Sequence, residues 1–338
     1  MMHSETAIDV IYTHTEGEPT CIVPGWVPYP QGTDILEKRQ FLESEYDWLR
    51  KALTREPRGH MDMFGVFVTP PSGPDTDAGM IWMDGDRFVH MCGHGTIALS
   101  MALVATGRHP EAQDGPTTIR YETTAGPVTA QVGRENGEIA WTKFENVPGF
   151  VAAEDISVDL PGLGALKADV AFGGNYFATI DISSTDLKVR PENAMQLKEL
   201  GLMAREQINA QVDIQHPTQS HIQGVPFVTF YHEGDRPDSL YRNVHVFSDG
   251  KLDRSPGGTG TTAMVAMFEN KGQVKIGQPI RSEGLLGSGQ FEGEAIAETT
   301  IGNQRALRIT IKGTAKITGT ARWLIDRDDP VGAGFVIG

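Results

Sequence analysis

The chain has 338 residues with an ordinary apolar content and a formal net charge of −15, which favours one large or two medium globular domains. The negative charge argues against a nucleic-acid partner, because phosphate backbones bind positive surfaces. The chain has only two cysteines, Cys21 and Cys92, so we expect no disulfide framework and a reducing cytoplasm.

Strand-like segments dominate the chain, and helix-like segments are fewer. In chain order, the residue patterns predict a strand at 7–15, an amphipathic helix at 41–55, strands at 63–70 and 78–84, a helix at 191–212 that can break at Gly201, and strands at 224–232, 241–248 and 305–318. No apolar run reaches membrane-spanning length, and the first residues lack the pattern of a signal peptide. We therefore expect no membrane partner.

The most informative feature is an internal repeat. Residues 92–100 (CGHGTIALS) align with residues 257–265 (GGTGTTAMV) at an offset of 165 positions, and four of the nine residues are identical. Each copy is a Gly-rich turn that opens an Ala-, Leu- or Met-rich segment, which predicts a buried helix. Two copies half a chain apart indicate duplication into two similar halves with a pseudo-twofold relation.

The repeat carries candidate chemistry. A Gly-rich turn at a helix start exposes backbone N–H groups that bind carboxylate or phosphate. Cys92 lies at the head of the first copy, where the helix dipole favours the reactive thiolate, although a free cysteine is most commonly a small buried apolar residue. We interpret Cys21 as core packing. His94 and Asp253 are candidate ligand contacts. A structural role is about as probable for each of them: His94 as a packed core histidine, and Asp253 as a cap of the turn.

Two segments, residues 91–96 (MCGHGT) and 253–261 (DRSPGGTGT), resemble the active-site segments of the proline racemase family. This family contains proline racemases, 4-hydroxyproline 2-epimerases and trans-3-hydroxy-L-proline dehydratases. The resemblance extends through residues 14–19, 46–50, 56–60, 173–175 and 319–321, and so covers nearly the whole chain.

The resemblance implies a fold of two similar α/β halves, each a curved, mostly antiparallel sheet around a central helix. We place the first half at residues 1–122 with 321–338, and the second at 123–320. The resemblance also implies a site between the halves, a homodimer, a small proline-like substrate, and no metal or other cofactor. No Cys/His cluster has zinc-ligand spacing.

The resemblance also implies roles for single residues. Cys92 would be the acid/base, and Asp253, helped by His94, would hold the ring nitrogen. The substrate carboxylate would be bound by two pairs of backbone N–H groups, those of Gly93 with His94 and those of Gly258 with Thr259.

One departure from the family pattern bears on the reaction. Racemases and epimerases of the family have a second cysteine where this chain has Gly257, and the dehydratases usually have threonine there. Racemisation needs an acid/base on each face of the α-carbon. The hydroxyls of Ser255, Thr259 and Thr261, or a trapped water, could take the second place, but their pKa values suit that task poorly.

Dehydration of trans-3-hydroxy-L-proline needs only one group on one face. The sequence therefore favours dehydration to Δ1-pyrroline-2-carboxylate. The alternatives are a 4-hydroxyproline 2-epimerase or proline racemase, a non-catalytic imino-acid binding protein, and an isomerase of the diaminopimelate epimerase or phenazine-biosynthesis type.

Overall fold

The computed structural model of the chain describes residues 5–25 and 29–337. The chain forms two units, one from Met1–Lys143 with Thr314–Gly338 and one from Phe144–Gly313. The predicted boundaries lie near residues 122 and 320. The units divide elsewhere because the strand after residue 122 pairs with the strand before it, and the strand that begins at Lys316 pairs with the first strand. Residue 338, at the end of the predicted last segment, lies outside the described residues.

The first unit is built from both ends of the chain. Its elements are β1 (Glu5–Thr15), β2 (Glu18–Val23), α1 (Ile35–Glu45), α2 (Asp47–Thr54), β3 (Phe64–Thr69), β4 (Ala78–Met83), β5 (Phe88–Val89), α3 (Gly93–Ala105), β6 (Thr117–Thr123), β7 (Gly126–Glu135), β8 (Glu138–Glu145), which spans the division, and β17 (Lys316–Asp326).

The second unit is one continuous stretch. Its elements are β9 (Phe150–Leu160), β10 (Gly164–Phe172), β11 (Tyr176–Asp181), a short 3-10 turn (Pro191–Asn193), α4 (Ala194–Asn209), β12 (Phe227–Glu233), β13 (Tyr241–Val246), α5 (Gly258–Asn270), β14 (Ile280–Glu283), β15 (Gln290–Ile301) and β16 (Gln304–Gly313).

The two units repeat one order of strand pairing. In the first unit the order β17-β1-β2-β3-β4-β6-β7 is antiparallel, antiparallel, parallel, antiparallel, parallel and antiparallel. In the second unit β9-β10-β11-β12-β13-β14-β15 follows the same succession. In both units a helix of 13 residues connects the two strands of the second parallel pair: α3 lies between β4 and β6, and α5 lies between β13 and β14. This shared order supports the duplication that the repeat predicts.

Each of these two helices is surrounded by the sheet of its own unit. α3 packs against β1, β2, β7 and β17, and α5 packs against the equivalent strands β9, β10, β11 and β15. These strands include both edge strands of each unit's strand order, so each sheet curves around its helix. Both helices are buried on nearly all sides, as their apolar sequences require. The predicted mixed α/β fold with central helices is confirmed.

Three predicted elements differ in detail from the structure. The helix predicted at 41–55 is two helices, because the backbone of Tyr46 is not helical (φ −132°, ψ 18°) and ends α1. The helix predicted at 191–212 runs through Gly201 without a break, and a Cβ at Gly201 would lie 2.6 Å from Val246, so the glycine serves close packing. The strand predicted at 305–318 is two strands, β16 and β17, which belong to different units.

Among the described residues, every helix is too short or too polar to cross a lipid bilayer.

Candidate active site

Cys92 caps the amino end of α3. Its backbone is extended (φ −136°, ψ 112°), and the helix begins at Gly93. Its carbonyl oxygen accepts hydrogen bonds from the backbone N–H of Thr96 at 3.0 Å and from the Thr96 hydroxyl at 2.7 Å. The first-turn N–H groups of a helix have no carbonyl partner within the helix, and in α3 they belong to Gly93, His94 and Gly95. The arrangement can hold an anion beside a thiol.

The imidazole of His94 lies against this thiol. The Sγ atom of Cys92 is 3.5 Å from both Nδ1 and Nε2 of His94, and both side chains are buried. The Thr15 hydroxyl donates to the His94 carbonyl at 2.9 Å, and the ring of Phe64 meets the imidazole edge-on at 4.9 Å. The structure therefore brings the predicted residues Cys92, Gly93 and His94 together.

Asp253 begins the turn that leads into α5. Its Oδ1 atom accepts hydrogen bonds from the N–H of Ser255 at 2.8 Å and from the Ser255 hydroxyl at 2.7 Å. The Ser255 hydroxyl in turn accepts from the N–H of Gly257 at 3.0 Å. Complete burial of Asp253 raises the pKa of its carboxyl to about 7, against the opposing effect of the Ser255 hydrogen bonds. A carboxyl with this pKa changes charge near neutral pH.

Gly257 caps α5 in the position that Cys92 takes in α3. Its φ of 75° lies in the region that favours glycine, and α5 begins at Gly258. The structure places Asp253, Gly257, Gly258 and Thr259 at this helix start, where Thr259 is largely buried. Each predicted set of site residues thus surrounds one helix start, within its own unit.

A residue absent from the sequence predictions, His245, fills the space beside Gly257. A Cβ added at Gly257 would lie 2.1 Å from Nε2 of His245, and one added at Gly260 would lie 2.1 Å from its Cε1. Nε2 is 3.0 Å from the Pro256 carbonyl oxygen, and Nδ1 is 2.7 Å from the Thr229 hydroxyl. Burial lowers the pKa of this imidazole to about 4. One sequence signal points to it: His245 is a lone histidine in the strand-like run 241–248.

Within residues 5–25 and 29–337, no group of three or more His, Cys, Asp and Glu side chains is placed to hold a metal ion.

The chain is similar to known proteins along almost its whole length. The family model described as proline racemase matches residues 10–336. A 4-hydroxyproline 2-epimerase from Cereibacter sphaeroides is 60% identical over 336 residues, which cover 99% of this chain and 100% of that protein. A proline racemase from Clostridioides difficile is 42% identical with the same coverage.

The likeness holds in three dimensions as well. A crystal structure of a hydroxyproline epimerase from Agrobacterium vitis, with bound trans-4-hydroxy-L-proline, matches with a TM-score of 0.90 at 30% identity. The match covers 98% of this chain and 96% of that chain. With a family match along almost its whole length, and with Cys92 at the start of a central helix, this chain belongs to the proline racemase family.

Proposed function

We propose that this chain is a 4-hydroxyproline 2-epimerase. The observation that carries the proposal is the 60% identity, over 99% of this chain, to a protein with that activity in its name. A structural neighbour is a hydroxyproline epimerase with trans-4-hydroxy-L-proline bound. These relatives favour the epimerase alternative over the dehydratase hypothesis, which depends on the missing side chain at Gly257.

The proposed chemistry begins at α3. The N–H groups of Gly93 and His94 would bind the substrate carboxylate, and fixed dipoles of this kind stabilise the carboxylate as it gains enolate character during deprotonation. Cys92 would exchange a proton with the α-carbon on one face. At the start of α5, Asp253 would pair with the ring nitrogen, and the N–H groups of Gly258 and Thr259 would add donors for the carboxylate. A homodimer stays a prediction.

Proton NMR in deuterated water tests the proposal directly. We expect trans-4-hydroxy-L-proline to gain α-deuterium and to give cis-4-hydroxy-D-proline, because inversion replaces the α-hydrogen with one from solvent. L-Proline and trans-3-hydroxy-L-proline are run in parallel. Pyrroline-2-carboxylate formed from the 3-hydroxy compound, with no inversion of the others, would support the dehydratase instead. Absence of exchange with all three would contradict both.

The pH dependence of turnover should report on Asp253. Its pKa is raised to about 7 by burial, so the carboxyl is neutral below that pH and cannot pair with a cationic nitrogen. We expect kcat/KM to fall as pH decreases through about 7. Asp253→Asn should lower kcat/KM by about 10- to 100-fold, the value of a hydrogen bond to a charged group, and should remove this part of the profile. An unchanged low-pH limb in Asp253→Asn would contradict the assignment.

A further inference from the structure

The peptide group between Pro256 and Gly257, directly before α5, is hydrogen-bonded on both sides. Its N–H, which belongs to Gly257, donates to the Ser255 hydroxyl at 3.0 Å. A carbonyl oxygen has two lone pairs, yet three side-chain donors converge on the carbonyl oxygen of this peptide. They are Nδ2 of Asn243 at 3.1 Å, Nε2 of His245 at 3.0 Å and the Thr261 hydroxyl at 3.3 Å. The peptide is therefore held in one orientation.

Two of these donors come from one face of β13. Asn243 and His245 lie two positions apart on this strand, so their side chains leave it on the same side, and both are buried. A buried amide or imidazole destabilises the fold unless its polar atoms are hydrogen-bonded. The strand therefore uses two interior positions, where apolar side chains would otherwise pack, to hold the single carbonyl oxygen of Pro256.

The hydrogen of the imidazole can be assigned from its partners. The Pro256 carbonyl only accepts, so Nε2 of His245 carries the hydrogen. Burial lowers the pKa of this ring to about 4, so the ring is neutral at neutral pH and Nδ1 has no hydrogen. Nδ1 therefore accepts from the Thr229 hydroxyl, 2.7 Å away. The hydroxyl of β12 thus donates to the ring, and the ring donates to the peptide.

The same direction continues beyond the peptide. The Gly257 N–H donates to the Ser255 hydroxyl, and that hydroxyl donates to Oδ1 of Asp253 at 2.7 Å. In this series of hydrogen bonds from Thr229 to Asp253, every donor points toward the carboxyl. Hydrogen bonds in series polarise one another, and donors that point at a carboxylate stabilise its charged form. The series therefore fixes the orientation of Asp253 and stabilises its charge, as does its charged neighbour in the turn, Arg254.

We propose that Thr229 and Asn243 are positioning residues of the epimerisation, which act through the Pro256–Gly257 peptide to hold the Asp253 carboxylate in place for the ring nitrogen of the substrate. The inference rests on the proposed function, in which this carboxylate pairs with that nitrogen. Thr229 acts through the neutral imidazole, and Asn243 adds a second donor to the same carbonyl. Neither side chain needs to contact the substrate.

Thr229→Val tests the start of the series. Valine has nearly the shape of threonine but lacks the hydroxyl, so the imidazole loses its donor while the packing of β12 is kept. We expect kcat/KM for trans-4-hydroxy-L-proline to fall by about 3- to 10-fold, as for the loss of one hydrogen bond. The low-pH limb of the kcat/KM profile should move to higher pH by about 0.5 to 1 pH unit, because a less stabilised carboxylate takes up its proton more readily. Thr229→Ser, which keeps the hydroxyl, should behave like the wild type.

Thr179→Val is the matched control. Thr179 is a buried threonine of β11 that is paired with Thr229 in the sheet, and its hydroxyl donates to the Asp169 carbonyl at 3.3 Å. This control loses the same kind of hydroxyl outside the series, so we expect the low-pH limb to stay in place. Asn243→Ala keeps the proposal testable if Thr229→Val folds poorly. It removes a donor from the Pro256 carbonyl and should move the limb in the same direction.

A double-mutant cycle with Asp253→Asn locates the effect. If Thr229 acts through Asp253, Thr229→Val should change kcat/KM little in the Asp253→Asn background, because the charge that the series stabilises is already absent. A threonine with a purely structural role would lower kcat/KM by the same factor in both backgrounds. The comparison is made at one pH and does not depend on the position of the limb.

The possible failures are distinguishable. If the wild-type chain does not invert trans-4-hydroxy-L-proline, the proposed function fails and this inference falls with it. If the wild type inverts it but the limb stays in place in both Thr229→Val and Asn243→Ala, or moves equally in Thr179→Val, only the positioning role is overturned. Equal losses of kcat/KM in the two backgrounds of the cycle also overturn that role.

Discussion

Cys92→Ala is expected to lower the rate of epimerisation by about 10²- to 10⁴-fold, the usual contribution of a general acid/base. The substitution removes the thiol that would exchange a proton with the α-carbon in the proposed reaction. The fold should persist, because a single buried sulfur is lost and the hydrogen bonds to the Cys92 carbonyl come from the backbone and side chain of Thr96. Rates are measured by polarimetry or NMR, and folding by circular dichroism.

Cys21→Ala is the matched control for this experiment. Cys21 is a second buried cysteine, and it packs in the apolar core of the first unit with Ile8, Val10 and Val23. Burial raises the pKa of its thiol to about 12, so it stays neutral. We expect unchanged turnover and a loss of about 1–2 kcal/mol in the free energy of unfolding, as for other small core truncations. Full activity in Cys92→Ala, or its loss in Cys21→Ala, would show that the base is misassigned.

Gly257→Ala is expected to lower the free energy of unfolding by about 2–6 kcal/mol. A side chain at its φ of 75° costs about 1–3 kcal/mol. Displacing the ring of His245, which would lie 2.1 Å from the new Cβ, costs about 1–3 kcal/mol more. Denaturation by urea measures the change.

Gly272→Ala separates the two contributions. Gly272 also has a left-handed backbone, with φ of 69°, but a Cβ added there would have no heavy atom of the described residues within 4 Å, its chain neighbours aside. It should lose only about 1–3 kcal/mol, the backbone cost alone, and keep its activity. Equal losses of unfolding free energy in Gly257→Ala and Gly272→Ala would mean that the clash with His245 does not contribute to the destabilisation.

The central helices are predictable because their information is local. A Gly-rich turn followed by small and apolar residues encodes both the open helix start and the buried helix in one segment, which is why α3 and α5 begin at the predicted turns. The division of 41–55 at Tyr46 is not predictable in this way, because both halves have helical patterns. The end of β16 near Gly313 depends on which strand the next segment pairs with, and that partner, β1, lies at the other end of the chain.

The position of His245 beside Gly257 cannot be predicted from the sequence for a related reason. β12 and β13 are buried along almost their whole length, so their sequences lack the alternation that reveals register. Only the pairing of Thr229 with His245, and the turn from Asp253 to Gly257, direct the imidazole toward α5. From the sequence, Gly257 indicates a missing group, and the structure places a titratable ring in that space.

The origin of the first unit in both ends of the chain affects the order in which it is completed during synthesis. β1 is made well before its antiparallel partner β17, which comes from Lys316–Asp326. Until those residues leave the ribosome, one edge of β1 stays open to other strands, a known hazard for aggregation. The second unit is continuous and can close its own sheet earlier. A carboxyl-terminal truncation therefore damages the amino-terminal unit first, the one that carries Cys92.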